Sequence, residues 1–166
     1  MSKLCGPVLV GLDAGFDDGS RRVVSIGKLR PADRADWELL FRGYIDFYQR
    51  TEPQQMYDRA WAEFQADERM RALGAWLDGR LVGITHFLIH ASTSSRDVCY
   101  LQDLFTAPDA RGRGVARALI GAVVDWARGQ DCDRVYWMTH HTNETARRLY
   151  DQVAENRGFI QCRIAL

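Results

Sequence analysis

The chain has 166 residues, 46% hydrophobic and 27% charged, the make-up of one ordinary globular domain with a buried core. Its 22 basic residues are balanced by 22 acidic ones, so bulk charge does not favour nucleic acid as a partner, and no apolar run reaches membrane-spanning length. The four cysteines (Cys5, Cys99, Cys132, Cys162) include no Cys-x-x-Cys pair, which fits reduced thiols in a cytoplasmic protein with no metal site.

Residues 1–22 are rich in Gly and Asp, lack periodicity, and read as an N-terminal extension; residues 23–166 read as a single domain. Val23 to Leu29 reads as a strand. Arg30-Pro31-Ala32-Asp33 ends it and starts a helix, because Pro suits the first turn and Asp the positive helix end. Trp37, Leu40, Phe41, Tyr44, Phe47 and Tyr48 recur at three- and four-residue spacing and predict its apolar face. Thr51-Glu52-Pro53 breaks it, and a second helix is expected over Gln54 to Gln65. Arg71 to Leu77 and Leu81 to Ile89 flank Asp78-Gly79, a strong hairpin signal. Another strand is expected over Asp97 to Thr106, ended by Ala107-Pro108.

A long amphipathic helix follows, with Val115, Leu119, Ala122 and Trp126 on one side. Arg134 to Thr139 reads as a strand. Asn143 can cap a last helix over Glu144 to Ala154. Phe159 to Ala165 reads as a closing strand. The order implies an α/β architecture, a mixed sheet flanked by helices, with an antiparallel portion forced by the hairpin.

The segment from Tyr100 to Ala127 organises the chain. A strand feeds a turn, Arg111-Gly112-Arg113-Gly114-Val115-Ala116, that opens a helix. Free N–H groups of a first helical turn, the positive helix end and two arginines make this turn a seat for an anion. A dinucleotide fold of the Gly-x-Gly-x-x-Gly/Ala kind is disfavoured, because its third glycine position is Arg117. His86 and His90 share a strand face with Leu88 between them, but no third metal ligand accompanies them.

That turn resembles the pyrophosphate loop of the GNAT superfamily of acyl-CoA-dependent N-acetyltransferases, Gln/Arg-x-x-Gly-x-Gly/Ala. Asn143-Glu144-Thr145-Ala146-Arg147-Arg148-Leu149-Tyr150, followed by Gly158-Phe159, is similar to the family's Asn-x-x-Ala-x-x-x-Tyr helix. Tyr100 to Phe105 and Val135-Tyr136-Trp137 look most like the polyamine and yeast-type histone acetyltransferase-related branch. The resemblance covers residues 23 to 166 and implies a GNAT-like acyl-CoA N-acyltransferase fold.

The same resemblance implies a function: transfer of an acetyl group from acetyl-CoA to a primary amine, on a polyamine-like small molecule or a protein lysine, by direct attack in a ternary complex. The alternative is a non-catalytic acyl-CoA-binding or sensor module on the same fold. Arg111, Gly112, Arg113, Gly114, Val115, Ala116 and Arg117 would hold the pyrophosphate. Leu104, Phe105 and Thr106 would lay out the pantetheine arm, with Asn143 and Ala146 beside it. Tyr150 would protonate the leaving thiolate.

The acceptor amine, with a pKa near ~10.4, must lose a proton before it attacks. Relatives carry Glu-Asp on the strand where this chain has Gln102-Asp103, and Gln102 is no base. Asp103 remains a catalytic candidate, although strict alternation would put it on the opposite face from Gln102. Tyr44, Asp46, Tyr48, Glu52 and Gln102 fall where relatives form the acceptor pocket. The expected particle is a homodimer, with the last strand paired with, or exchanged into, a second subunit.

Overall fold

The computed structural model describes residues 23–165; the expected extension, residues 1–22, lies outside them. Five strands form one sheet in chain order: β1 (Ser25–Lys28), β2 (Arg71–Leu77), β3 (Arg80–His90), β4 (Val98–Thr106) and β5 (Arg134–Tyr136). The first four are antiparallel neighbours, and β4 and β5 run parallel. Helices α1 (Arg34–Phe47) and α2 (Gln54–Ala66) connect β1 to β2. Helix α3 (Val115–Gly129) crosses from β4 to β5, and α4 (Glu144–Val153) follows.

The local chemistry matches the sequence at most joints. Asp33 accepts the Arg30 N–H at 2.7 Å and pairs with its guanidinium at 2.9 Å, fixing the exit of β1 into α1. Asp78 and Gly79 both have positive φ, 52° and 79°, the combination required by the mirror-image turn that suits a twisted two-residue hairpin.

The sheet is buried on both faces. On one, α1 and α2 bring Trp37, Phe41, Tyr57 and Phe64 against Ile84 and Leu81. On the other, Val115, Leu119 and Val123 of α3 pack on Val82, Phe87 and Leu101. Gly83 makes the second contact possible, because a Cβ there would stand 2.6 Å from Val115 Cγ1. The start of α3 is thereby pressed directly onto β3.

Two strand expectations change. Ladder pairing of β5 ends at Tyr136, so Trp137, Met138 and Thr139 leave the sheet. The closing strand does not form: residues 159–165 carry no regular structure, and Phe159, Ile160 and Ile164 are 91%, 87% and 87% exposed. Phe and Ile favour strands only where a partner edge and a covering face receive them, and among the described residues β5 bonds to β4 alone.

Candidate active site

Strands β4 and β5 pair only through Val98–Arg134, Cys99–Val135 and Tyr100–Tyr136. Beyond Tyr100, β4 carries an extra residue. His86 opposes Asp103 while Phe87 opposes Leu101, so Gln102 has no partner and forms a bulge. The two strands part at this point and open a groove of about 630 Å³. Leu101, Gln102, Leu104, Phe105 and Thr106 of β4 face it from one side, and Trp137, Met138 and Thr139 from the other.

The far end of the groove is the turn into α3. Arg111, Gly112, Gly114, Val115, Ala116 and Arg117 line it; Arg113 is exposed and stands off the lining. Gly112 and Gly114 have φ of 72° and 80°, where a side chain is strained, yet a Cβ at either would meet nothing within 4 Å. The glycines are therefore needed for backbone conformation rather than for want of space. The first helical bond is Ala118 N–H to Gly114 C=O at 3.0 Å, so the amides of Val115, Ala116 and Arg117 precede the ladder and point outward. Arg117 is tied across the groove to Gln152 of α4.

Asn143 caps α4 by accepting the Ala146 N–H at 3.3 Å, and both residues line the groove. Two turns on, Tyr150 also reaches the lining, its ring 5.3 Å from that of Trp137. Burial, and then the nearby Tyr48, push its phenol up to about 12, so it stays protonated at neutral pH.

At the near end, Tyr44, Phe47 and Tyr48 bring the end of α1 over the groove. Asp46 is exposed, Glu52 is paired with Arg50, and neither lines the groove. A second depression adjoins, formed by Phe47, Tyr48, Gln49, His140, Thr142 and Glu144 among others.

Asp103 lies behind this end, its side chain only 11% exposed. The bulge breaks the alternation of β4, so Tyr100, Asp103 and Phe105 all face α1. Asp103 accepts from His86 Nδ1 at 2.9 Å, and Trp37 donates its indole N–H to His86 Nε2 at 2.9 Å. The Thr85 hydroxyl donates to the Asp103 carbonyl at 2.9 Å and anchors the bulge. Tyr44 faces the same space from α1; burial, and then the Asp103 charge, hold its phenol far above the ordinary tyrosine value. The sequence marked Tyr44 and Asp103 separately, but the bulge that brings them to one face left no local signal.

The Thr106 hydroxyl oxygen is buried in the groove wall with no hydrogen-bond partner among the described residues. A buried hydroxyl of this kind asks for a ligand atom. With the outward amides and Arg111 and Arg117, the donor set fits a long ligand with a phosphate at one end and amide groups along its length. Among the described residues no group of His, Cys, Asp and Glu is placed to hold a metal ion.

Residues 37–154 match the model of the acetyltransferase (GNAT) family. The chain is 31% identical over 136 residues to a D-amino-acid N-acetyltransferase of Saccharomyces cerevisiae, covering 79% of this chain and 84% of the relative. A ribosomal-protein-alanine N-acetyltransferase from Brucella melitensis superposes with a TM-score of 0.71 at 26% identity, over 87% of this chain and 100% of that one. An aminoglycoside N-acetyltransferase, AAC(6')-Iy, solved with CoA, superposes with a TM-score of 0.76 at 20% identity, over 86% and 94%, which speaks to the fold alone. The chain thus belongs to the GNAT family of N-acetyltransferases, enzymes that use acetyl-CoA to acetylate amines.

Proposed function

We propose that this enzyme acetylates a primary amine on a small, positively charged molecule, by direct attack on acetyl-CoA within a ternary complex. What carries this reading is the groove itself: the phosphate-type turn, Thr106 and Asn143 lie along one run, and Tyr44, Tyr48 and Tyr150 meet at the other end. A protein lysine remains the second form of the acceptor. The D-amino-acid substrate named for the yeast relative and the aminoglycoside named for a structural neighbour are both amines of modest size. A polyamine, the acceptor suggested by the likeness of Tyr100 to Phe105 to the polyamine branch, is a cationic amine of the same kind.

Bound acetyl-CoA would supply the thioester. In this reading the amides of Val115 to Arg117, with Arg111 and Arg117, hold its pyrophosphate, and β4 from Leu104 to Thr106 lays out its arm. The aromatic end formed by Tyr44 and Tyr48 excludes water and receives a cation against ring faces. Tyr150, kept protonated by burial, gives a proton to the departing sulfur and takes one from the new amide nitrogen, so it never carries a full charge. The exposed apolar residues Phe159, Ile160 and Ile164 support a homodimer in which residues 159–165 are covered by the second copy.

Turnover against an amine panel, read as free thiol release, tests the reaction; binding of the coenzyme with no thiol release from any amine would overturn it. Tyr150→Phe is expected to lower turnover about a hundredfold while the coenzyme Kd stays near the native value. Unchanged turnover would remove the proton-donor role.

A further inference from the structure

The carboxylate of Asp103 is buried, and no lysine or arginine is paired with it among the described residues. Its ring partner does not neutralise it. An indole N–H can only donate, so the Trp37 bond obliges His86 Nε2 to accept. The imidazole proton must then sit on Nδ1, where it is donated to Asp103. Phe41 and Phe64 pack on the same imidazole, with centroids 4.7 and 4.4 Å away, and leave it no exit to water. His86 is thus locked as a neutral donor, and the negative charge stays on Asp103.

Among the described residues, Tyr44 on α1 links that charge to the groove. Its ring packs against Phe41, which covers His86, and against Phe105 of β4; the Asp103 charge opposes its ionisation; and the same residue lines the groove beside Gln102 and Tyr48. The other titratable groups facing Asp103 are phenols: Tyr48 at the end of α1 and Tyr100 on β4, both of whose ionisation burial, then its charge, opposes. Gln102, at the bulge, cannot take a proton.

Resting on the acetyl-transfer reading above, we propose that Tyr44 and Asp103, with His86 and Trp37 positioning the carboxylate, form the relay that removes the proton from the acceptor ammonium. One N–H bond of the ammonium breaks and its proton forms a bond to Tyr44 Oη. In the same movement the original Tyr44 O–H bond breaks and that proton passes to an Asp103 Oδ. The electron pair of the broken N–H bond stays on nitrogen as the lone pair that attacks. Tyr44 gains one proton as it gives another, so its high resistance to ionisation is no obstacle. After product leaves, the proton on Asp103 returns through Tyr44 to water. The relay replaces a glutamate at the Gln102 position, and it selects acceptors that arrive as cations, since the buried charge attracts the ammonium.

The test is a pair of variants, Asp103→Asn and Tyr44→Phe, assayed with two amines: an ordinary alkylamine, and a weakly basic amine already neutral near pH 7. With the alkylamine, kcat/KM of both variants is expected to fall about a hundredfold near neutrality. The deficit should shrink as pH rises toward ~10.4, where neutral amine becomes abundant. With the weakly basic amine the deficit of both variants should be several-fold smaller than with the alkylamine at the same pH. In the native protein without coenzyme, nitrogen NMR should find His86 as the Nδ1–H tautomer.

A loss equal at every pH and for both amines would overturn the relay and leave a structural role. So would a His86 whose proton is found on Nε2. If the native protein acetylates neither amine, nor any in the panel, the transfer reading itself falls and takes the relay with it.

Discussion

The groove wall at the start of α3 and the wall at the end of α1 face the same space but are made of different material. The first is backbone: outward amides, two glycines at positive φ, and a helix end. The second is side chains: Tyr44 and Tyr48 in front, with Asp103, His86 and Trp37 behind. A backbone wall depends on a few residue types at fixed spacing, so it suits a ligand that never changes. A side-chain wall can be altered one residue at a time, and is where a family of enzymes sharing a coenzyme would differ in acceptor.

Three measurements press on that contrast. Gly114→Val should do the most harm on the backbone side. A β-branched residue at φ of 80° is an outlier that costs about 1–2 kcal/mol, and the turn would give way first, raising the coenzyme Kd about tenfold. A variant with native affinity, measured by calorimetry, would mean that the glycine conformation is not what seats the phosphate.

Trp37→Phe strikes the other wall from behind. It removes the donor to His86 Nε2 in a site with no water access and should cost about 1–3 kcal/mol of stability. The denaturant midpoint should fall while the coenzyme Kd stays native. A shifted Kd would show the two walls to be coupled.

The smallest effect is alkaline. Tyr44 and Tyr150 both have phenols raised above the ordinary 10.0, Tyr150 to about 12. The unfolded chain loses those protons first, so their stabilising contribution is complete below about pH 10 and is lost as pH rises toward about 12. Denaturant midpoints should be flat to about pH 9 and then decline, with a shallower decline in Tyr150→Phe. An equal slope in the variant would place the loss elsewhere.

The difference between the walls also decides what could be read from the chain. Arg111 to Ala116, Asp78-Gly79 and the Asn143 cap were legible because each is a local demand of the backbone on residue type. The aromatic spacing of α1 was legible too, although Phe47, counted in its apolar stripe, is 51% exposed. The Asp103–His86–Trp37 contacts were not legible. They join α1, β3 and β4 across the sheet, and the bulge that aligns them has no glycine to mark it. The loss of pairing after Tyr136 was equally silent, since Trp137-Met138-Thr139 is as β-prone as the residues before it. Asp46 and Glu52 lie near the aromatic stripe in sequence, but their helix and loop positions turn them to solvent and to Arg50.

The single unpaired residue at Gln102 divides β4 into two stretches of opposite phase. Upstream, the odd-numbered Cys99 and Leu101 turn toward α3; downstream, the even-numbered Leu104 does. A scan of polar substitutions along β4 would therefore draw a zigzag of tolerance whose parity inverts at residue 102. Removing that one residue would make Leu101 and Asp103 direct neighbours on opposite faces, a regular ladder in which every side chain from Asp103 to Thr106 keeps its side and only the local kink at the mouth of the groove is lost.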